Sequence, residues 1–242
     1  MKYKAFLFDL DGTLINFDFQ IFIKTYLGAA SQFFIDLIPN PEIFFKELLS
    51  STDVMEKANN PDTTALDDFL LDFCPKFEVN CDEITNRFLQ FYQTGFNAIK
   101  PLITQMDGAI PLLLDIKRIY PDIKVVLATN PVYPSIAIEK RMEWGMIPQK
   151  FFDLITHAEN SCFCKLNSKY WFEILEKINV NPSSSVVIGN DGLRDMGAKK
   201  HGFKTFLVEN ALENEDLITL DTKPDFKGTL KDFHSLLIQE RI

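Results

Sequence analysis

Apolar residues follow two rhythms along this chain, and the change between them divides it. Phe6-Leu7-Phe8 is a short unbroken apolar run, the pattern of a strand buried on both faces. Comparable runs recur at Val125-Val126-Leu127-Ala128, at Val186-Val187-Ile188 and at Lys204 to Val208, and Phe151 to Thr156 reads as a further short strand. Between these runs the spacing is helical. Leu112, Ile116, Ile119 and Tyr120 make one stripe, a helix is expected to end at Trp144 before Gly145, and Trp171, Ile174, Leu175 and Ile178 make another. Strands alternating with helices predict an α/β fold with a doubly wound, mostly parallel sheet.

From Phe17 to about Lys100 the period is helical throughout. Phe19, Phe22, Ile23 and Tyr26 fall at i, i+3, i+4 and i+7, and Leu66, Phe69, Leu70 and Phe73 repeat that spacing. Ile84, Phe88, Phe91 and Tyr92 mark a third helix, and a weaker one is expected around Ile43 to Leu49. The expected division is therefore an α/β core formed by residues 1–16 and 101–242, with residues 17–100 inserted as a helical unit.

Three of the apolar runs stop at polar clusters. Phe6-Leu7-Phe8 runs into Asp9-Leu10-Asp11-Gly12-Thr13, Val125 to Ala128 into Thr129-Asn130-Pro131, and Val186 to Ile188 into Gly189-Asn190-Asp191-Gly192 with Asp195 beyond. In a parallel sheet all such ends lie on one edge, where open α/β sheets place their ligands. Side chains two apart on a strand share a face, so Asp9 and Asp11 converge on one centre, and two close carboxylates call for a cation or a shared proton. Lys165 precedes a helix and is placed to reach the same edge.

Charge and cysteine content narrow the partners. The formal net charge is −9, and residues 16–100 carry 13 acids against 6 bases, a net of −7. Such a surface argues against nucleic acid and against an anionic membrane, both of which need clustered Lys and Arg. No apolar run approaches a membrane span, and Asp9 and Asp11 interrupt the apolar stretch near the start, so a cytoplasmic protein, monomer or homodimer, is expected. Cys74, Cys81, Cys162 and Cys164 lack paired CxxC spacing and read as buried or idle thiols.

The order Asp-Leu-Asp-Gly-Thr at 9–13, Thr129-Asn130 at a strand end, Lys165, and the acidic strand-end motif at 189–195 resembles the haloacid dehalogenase superfamily. The resemblance covers the α/β portion and implies a Rossmann-like core with an α-helical cap at residues 17–100. It implies a Mg²⁺-dependent phosphatase for a small phosphorylated metabolite. Asp9 is then the nucleophile and Asp11 the acid and base, whose backbone carbonyl also serves the metal. Thr129, Asn130 and Lys165 hold phosphate oxygens, and the metal takes Asp9 and a group from Asn190, Asp191 or Asp195. One residue departs from the family pattern: Asn190 stands where many members have Asp, and brings no charge. A phosphomutase would need a second phosphate grip from Lys24, Lys46, Lys57, Lys76, Arg87 or Lys100. Dehalogenation is disfavoured by Asp11, and a non-catalytic protein on the same fold has only Asn190 in its favour.

Overall fold

The structure, a computed structural model, describes residues 2–241. The first strand, β1 (Ala5–Phe8), is fully buried and leads through a tight turn to a two-residue strand, β2 (Ile15–Asn16). Four helices follow: α1 (Phe19–Phe34), α2 (Pro41–Lys57), α3 (Ala65–Phe73) and α4 (Cys81–Gln93). The chain returns through β3 (Thr104–Gln105), which pairs antiparallel with β2, so both connections to the helical cap meet in one short ribbon.

The α/β rhythm then resumes with α5 (Ala109–Ile119), β4 (Lys124–Leu127), α6 (Ser135–Trp144), β5 (Leu154–Ile155) and α7 (Ser168–Ile178). It ends with β6 (Ser185–Gly189), β7 (Lys204–Val208), β8 (Phe226–Gly228) and α8 (Leu230–Ile238). Six strands form one parallel sheet in the order β5-β4-β1-β6-β7-β8. The chain moves from β1 outward through β4 to β5, then crosses to β6 and moves outward the other way. That reversal puts the switch point of a doubly wound sheet beside the end of β1.

Alternation along β1 builds the two layers. Phe6 and Phe8 face one side and meet Phe233 of α8 edge-on at 5.7 and 6.1 Å, whereas Ala5 and Leu7 face Tyr170, Trp171 and Ile174 of α7. The cap has its own aromatic interior. Phe34 stacks on Phe44 at 5.0 Å and meets Phe88 at 4.5 Å, and Phe69 stacks on Phe73 at 5.1 Å. Side-chain caps start these helices at Asp18, Asn40, Thr64 and Asn80.

Several elements differ from the sequence expectation. The weak helix expected at Ile43 to Leu49 is 17 residues long, because the polar run after Leu49 does not break it. Ser51 donates to Asp72 at 2.7 Å and Thr52 to the Leu48 carbonyl at 2.8 Å, so the hydroxyls find partners inside the fold. Beyond Val208, β8 and α8 had no counterpart in the expectation, although Leu230, Phe233 and Leu237 keep helical spacing behind the capping box of Thr229 and Asp232.

The cysteine reading needs correction. Cys74 and Cys81 form a disulfide, with Cα atoms 5.2 Å apart; Cys164 is buried and free, and Cys162 is free and part-buried. Spacing alone did not reveal the bridge, because it depends on Cys74 ending α3 and Cys81 beginning α4, which a tight connection folds back on itself. Disulfides are rare in reducing compartments, and the expectation of a cytoplasmic location took no account of one. No helix among the described residues is long and apolar enough to cross a membrane. Closing so short a loop contributes about 2.5 kcal/mol by chain entropy. Urea unfolding of Cys74→Ser/Cys81→Ser, and of the wild type in reductant, should both show that loss; no change in either would contradict the bridge.

Candidate active site

The turn after β1 is shaped by Gly12, whose φ of +72° lies in the left-handed region. A Cβ there would stand 2.3 Å from the Asn190 amide nitrogen, so Gly12 also makes room for the loop after β6 to close over the loop after β1. Thr13 Oγ1 donates to Asn190 Oδ1 at 3.1 Å, and Asn190 Nδ2 donates to the Ala211 carbonyl at 2.7 Å. Three loops are thereby tied at the carboxyl edge.

Asp9 leaves β1 buried, in a site where Lys165 Nζ donates to Asp9 Oδ1 at 2.6 Å and to Asp195 Oδ1 at 2.7 Å. Burial pushes the Asp9 carboxyl up to about 7, against the attraction of Lys165 and with Asp195 and Asp11 adding to the rise. Burial opposes charge on Lys165 too, but Asp195 and Asp9 outweigh it and hold the ammonium above the usual lysine range. Gly189 permits this packing, since a Cβ there would lie 2.1 Å from Asp195 Oδ2.

Asp11 Oδ2 accepts from Arg141 Nη1, and Asp11 Oδ1 is buried with no hydrogen-bond partner among the described residues. Arg141 comes from α6, is wholly buried, and lies over the Tyr133 ring at 4.4 Å. Thr129 is buried at the end of β4. Asn130 Oδ1 accepts from the Lys165 backbone N–H at 3.1 Å, and its amide donates to Glu56 of the cap at 2.7 Å. Glu56 also accepts from Arg194 at 3.1 Å, which closes the cap onto the core.

Asp9, Asp11, Thr129, Asn130, Lys165, Asn190, Asp191 and Asp195 thus all line one cavity of about 260 Å³ between core and cap. Asp191 faces it with both oxygens engaged: Oδ1 accepts from the Leu193 and Arg194 N–H groups at 2.8 Å, and Oδ2 from Asn214 at 2.9 Å. Asp195 is held by Lys165 and by the Asp191 N–H at 3.0 Å.

For a metal, the Asp11 backbone carbonyl accepts no hydrogen bond among the described residues, and Asp9 Oδ1 and Asn190 Oδ1 accept one each, from Lys165 and Thr13. No cluster of three His, Cys, Asp or Glu side chains suited to a metal occurs among the described residues. One carboxylate with neutral oxygens fits Mg²⁺, which completes its shell with phosphate and water, and fits metals that need several protein charges poorly.

Sequence reasoning missed Arg141, Glu56 and Arg194. Arg141 had a signal, because it lies in register with Ala137 and Ile138 on the buried face of α6, where a cation needs an anion. Glu56 had none, being one acid among many in the cap.

The arrangement is that of a capped α/β fold with a buried Asp9 and a part-buried Asp11 at the sheet's switch point. The haloacid dehalogenase-like hydrolase family matches residues 3–202, and the chain belongs to that family. Curated proteins give no match to this sequence. Among solved structures it resembles a haloacid dehalogenase-type phosphatase of Thermococcus onnurineus, with 19% identity, a TM-score of 0.61, and coverage of 99% of this chain and 100% of that one. It also resembles a protein of Thermotoga maritima described as a β-phosphoglucomutase, with 17% identity, a TM-score of 0.59, and coverage of 98% and 99%. The L-2-haloacid dehalogenase of Xanthobacter autotrophicus gives 15% identity, a TM-score of 0.56, and coverage of 98% of this chain. At these identities the likeness speaks for the fold alone.

Removing Asp11 strands the buried Arg141 cation, while removing both ends relieves that penalty. Asp11 is partly exposed, so a double-mutant cycle of Asp11→Ala and Arg141→Met in urea should give a coupling of about 2 kcal/mol. Additive losses would show that the pair does not act as a unit.

Proposed function

We propose that the protein hydrolyses a small phosphomonoester through a covalent phosphoryl group on Asp9, with Mg²⁺ as cofactor. The observation that carries this reading is the state of the Asp9 carboxylate: Oδ1 is fixed by Lys165 and Oδ2 is unengaged at the cavity wall. A carboxylate aimed by one charged contact, with its other oxygen free, is arranged as a nucleophile. Asp9 Oδ2 attacks phosphorus and the ester oxygen leaves.

Asp11 protonates that leaving alcohol and then takes a proton from the water that opens the acyl phosphate. Its unpartnered Oδ1 is the atom available for both transfers, while Arg141 fixes Oδ2 and hence the orientation of the group. The Thr129 hydroxyl, the Asn130 amide and Lys165 supply donors for the phosphoryl oxygens. A phosphate entering this site competes with Glu56 for the Asn130 amide.

Asp9 through Oδ1, the Asp11 carbonyl and Asn190 would hold Mg²⁺, which supplies positive charge to offset repulsion between the carboxylate and the phosphoryl group. That charge would also favour ionised Asp9 where burial otherwise raises its pKa. Asn190 is preferred to Asp191 here because Asn190 Oδ1 accepts one hydrogen bond, from Thr13, whereas each Asp191 oxygen accepts two. A phosphomutase reading finds no support in the cavity, whose lining cations are Lys165 and Arg194, both from the core.

Two variants test the proposal. Asp9→Asn should abolish turnover, with unfolding by urea showing an intact fold. Asn190→Asp should lower the Mg²⁺ concentration needed for half-maximal activity about tenfold, since a second carboxylate joins the site. Unchanged turnover in the first would exclude the covalent mechanism, and an unchanged metal requirement in the second would remove Asn190 from the metal site.

A further inference from the structure

The phosphatase reading leaves the leaving group unnamed, and the cap side of the cavity bears on it. Phe19, Phe22, Ile23 and Leu27 of α1, with Leu48 and Leu49 of α2, form that wall. Phe19 and Leu49 are about half exposed, so the wall presents large apolar side chains to the cavity mouth. From the core side Val132 and Tyr133 complete it.

Most polar capacity on the cap side of this wall is already committed. The Thr52 hydroxyl donates to the Leu48 carbonyl at 2.8 Å, the Tyr26 hydroxyl bonds the Tyr92 hydroxyl at 3.0 Å, and Glu56 is held by Asn130 and Arg194. None of the six bases between residues 16 and 100 lines the cavity. Lys46, Lys57, Lys76 and Arg87 are instead paired with the cap acids Glu47, Asp53, Asp72 and Asp36.

A polyol leaving group would lose water from several hydroxyls here and find only the Tyr133 hydroxyl and the Glu213 carboxylate, both on the core, left to meet them, and a second anionic group would meet no cation on the cap. An apolar group gains from burial against the same side chains. Behind Tyr26, Leu48, Thr52 and Val132, which line both spaces, lies a second cavity of about 220 Å³, walled by Leu66, Phe69, Leu70, Phe88 and Leu89.

We infer that the substrate is the phosphate monoester of an apolar alcohol, alkyl or aryl, whose carbon skeleton lies against α1 and α2. This rests on the phosphatase reading and adds the substrate class to it. The donated proton from Asp11 goes to the ester oxygen, and the released alcohol leaves through the Phe19 and Leu49 mouth.

The test is kcat/KM for ethyl, butyl and hexyl phosphate against glycerol 1-phosphate and glucose 6-phosphate, with p-nitrophenyl phosphate as a general reporter of phosphatase activity. The alkyl series should rise about threefold to fourfold per methylene, and hexyl phosphate should exceed both polyol esters by at least tenfold. Phe19→Ala should lower the ratio of hexyl to glycerol ester at least threefold. Turnover of p-nitrophenyl phosphate with a flat alkyl series, or with the polyol esters faster, would overturn the substrate class and leave the phosphatase reading standing. If no ester is turned over, the phosphatase reading fails, and calorimetric titration of the wild type with hexyl and glycerol phosphate decides the pocket: tighter hexyl phosphate supports the apolar site, and equal or absent binding overturns it.

Discussion

One buried ammonium placed between two buried carboxylates governs the arrangement of this site. Lys165 sits between Asp9 and Asp195, and each of the three would be costly to bury alone. The demand that they stay together fixes the relative positions of the loops after β1 and β6 and the segment before α7. Neighbouring bonds follow from it: the Lys165 N–H reaches Asn130, and Asp195 receives the Asp191 N–H, so the loop after β4 is drawn in as well. The glycines at 12 and 189 matter for the same reason, since each removes a side chain where two loops must approach.

A second, part-buried ion pair, Asp11 with Arg141, differs in purpose. Lys165 ties the core to itself, whereas Arg141 takes one oxygen of Asp11 and leaves the other without a partner. A half-satisfied carboxylate is costly in a fold and useful at a site that moves protons. The contact between Glu56 and the Asn130 and Arg194 side chains joins cap to core at the place where phosphate would bind, so cap position and substrate entry share the same hydrogen-bond donors.

The sheet, the site edge and most helices were legible in the sequence because they rest on local pattern: apolar runs that stop at polar residues, and stripes of period 3.6. The convergence of Asp9, Lys165 and Asp195 followed from topology, since parallel strands share a carboxyl edge. What escaped notice depends on distant contacts. The full length of α2 is supported by hydroxyl bonds to Asp72 and to the helix itself, the Cys74–Cys81 bridge by the meeting of two helix ends, and the role of Glu56 by where α2 comes to rest over the core. Arg141 lies between these cases, visible as a charge on an apolar face but silent about its partner.

The central claim is that Asp9 becomes covalently phosphorylated. Mixing the Mg²⁺-loaded protein with p-nitrophenyl phosphate, quenching in acid during turnover and analysing peptides by mass spectrometry tests it directly. A phosphoryl group on the peptide containing Asp9, absent from Asp9→Asn, is the result expected. Turnover of the ester with no phosphoryl group on that peptide at any quench time, or with one on a different residue, would contradict the account.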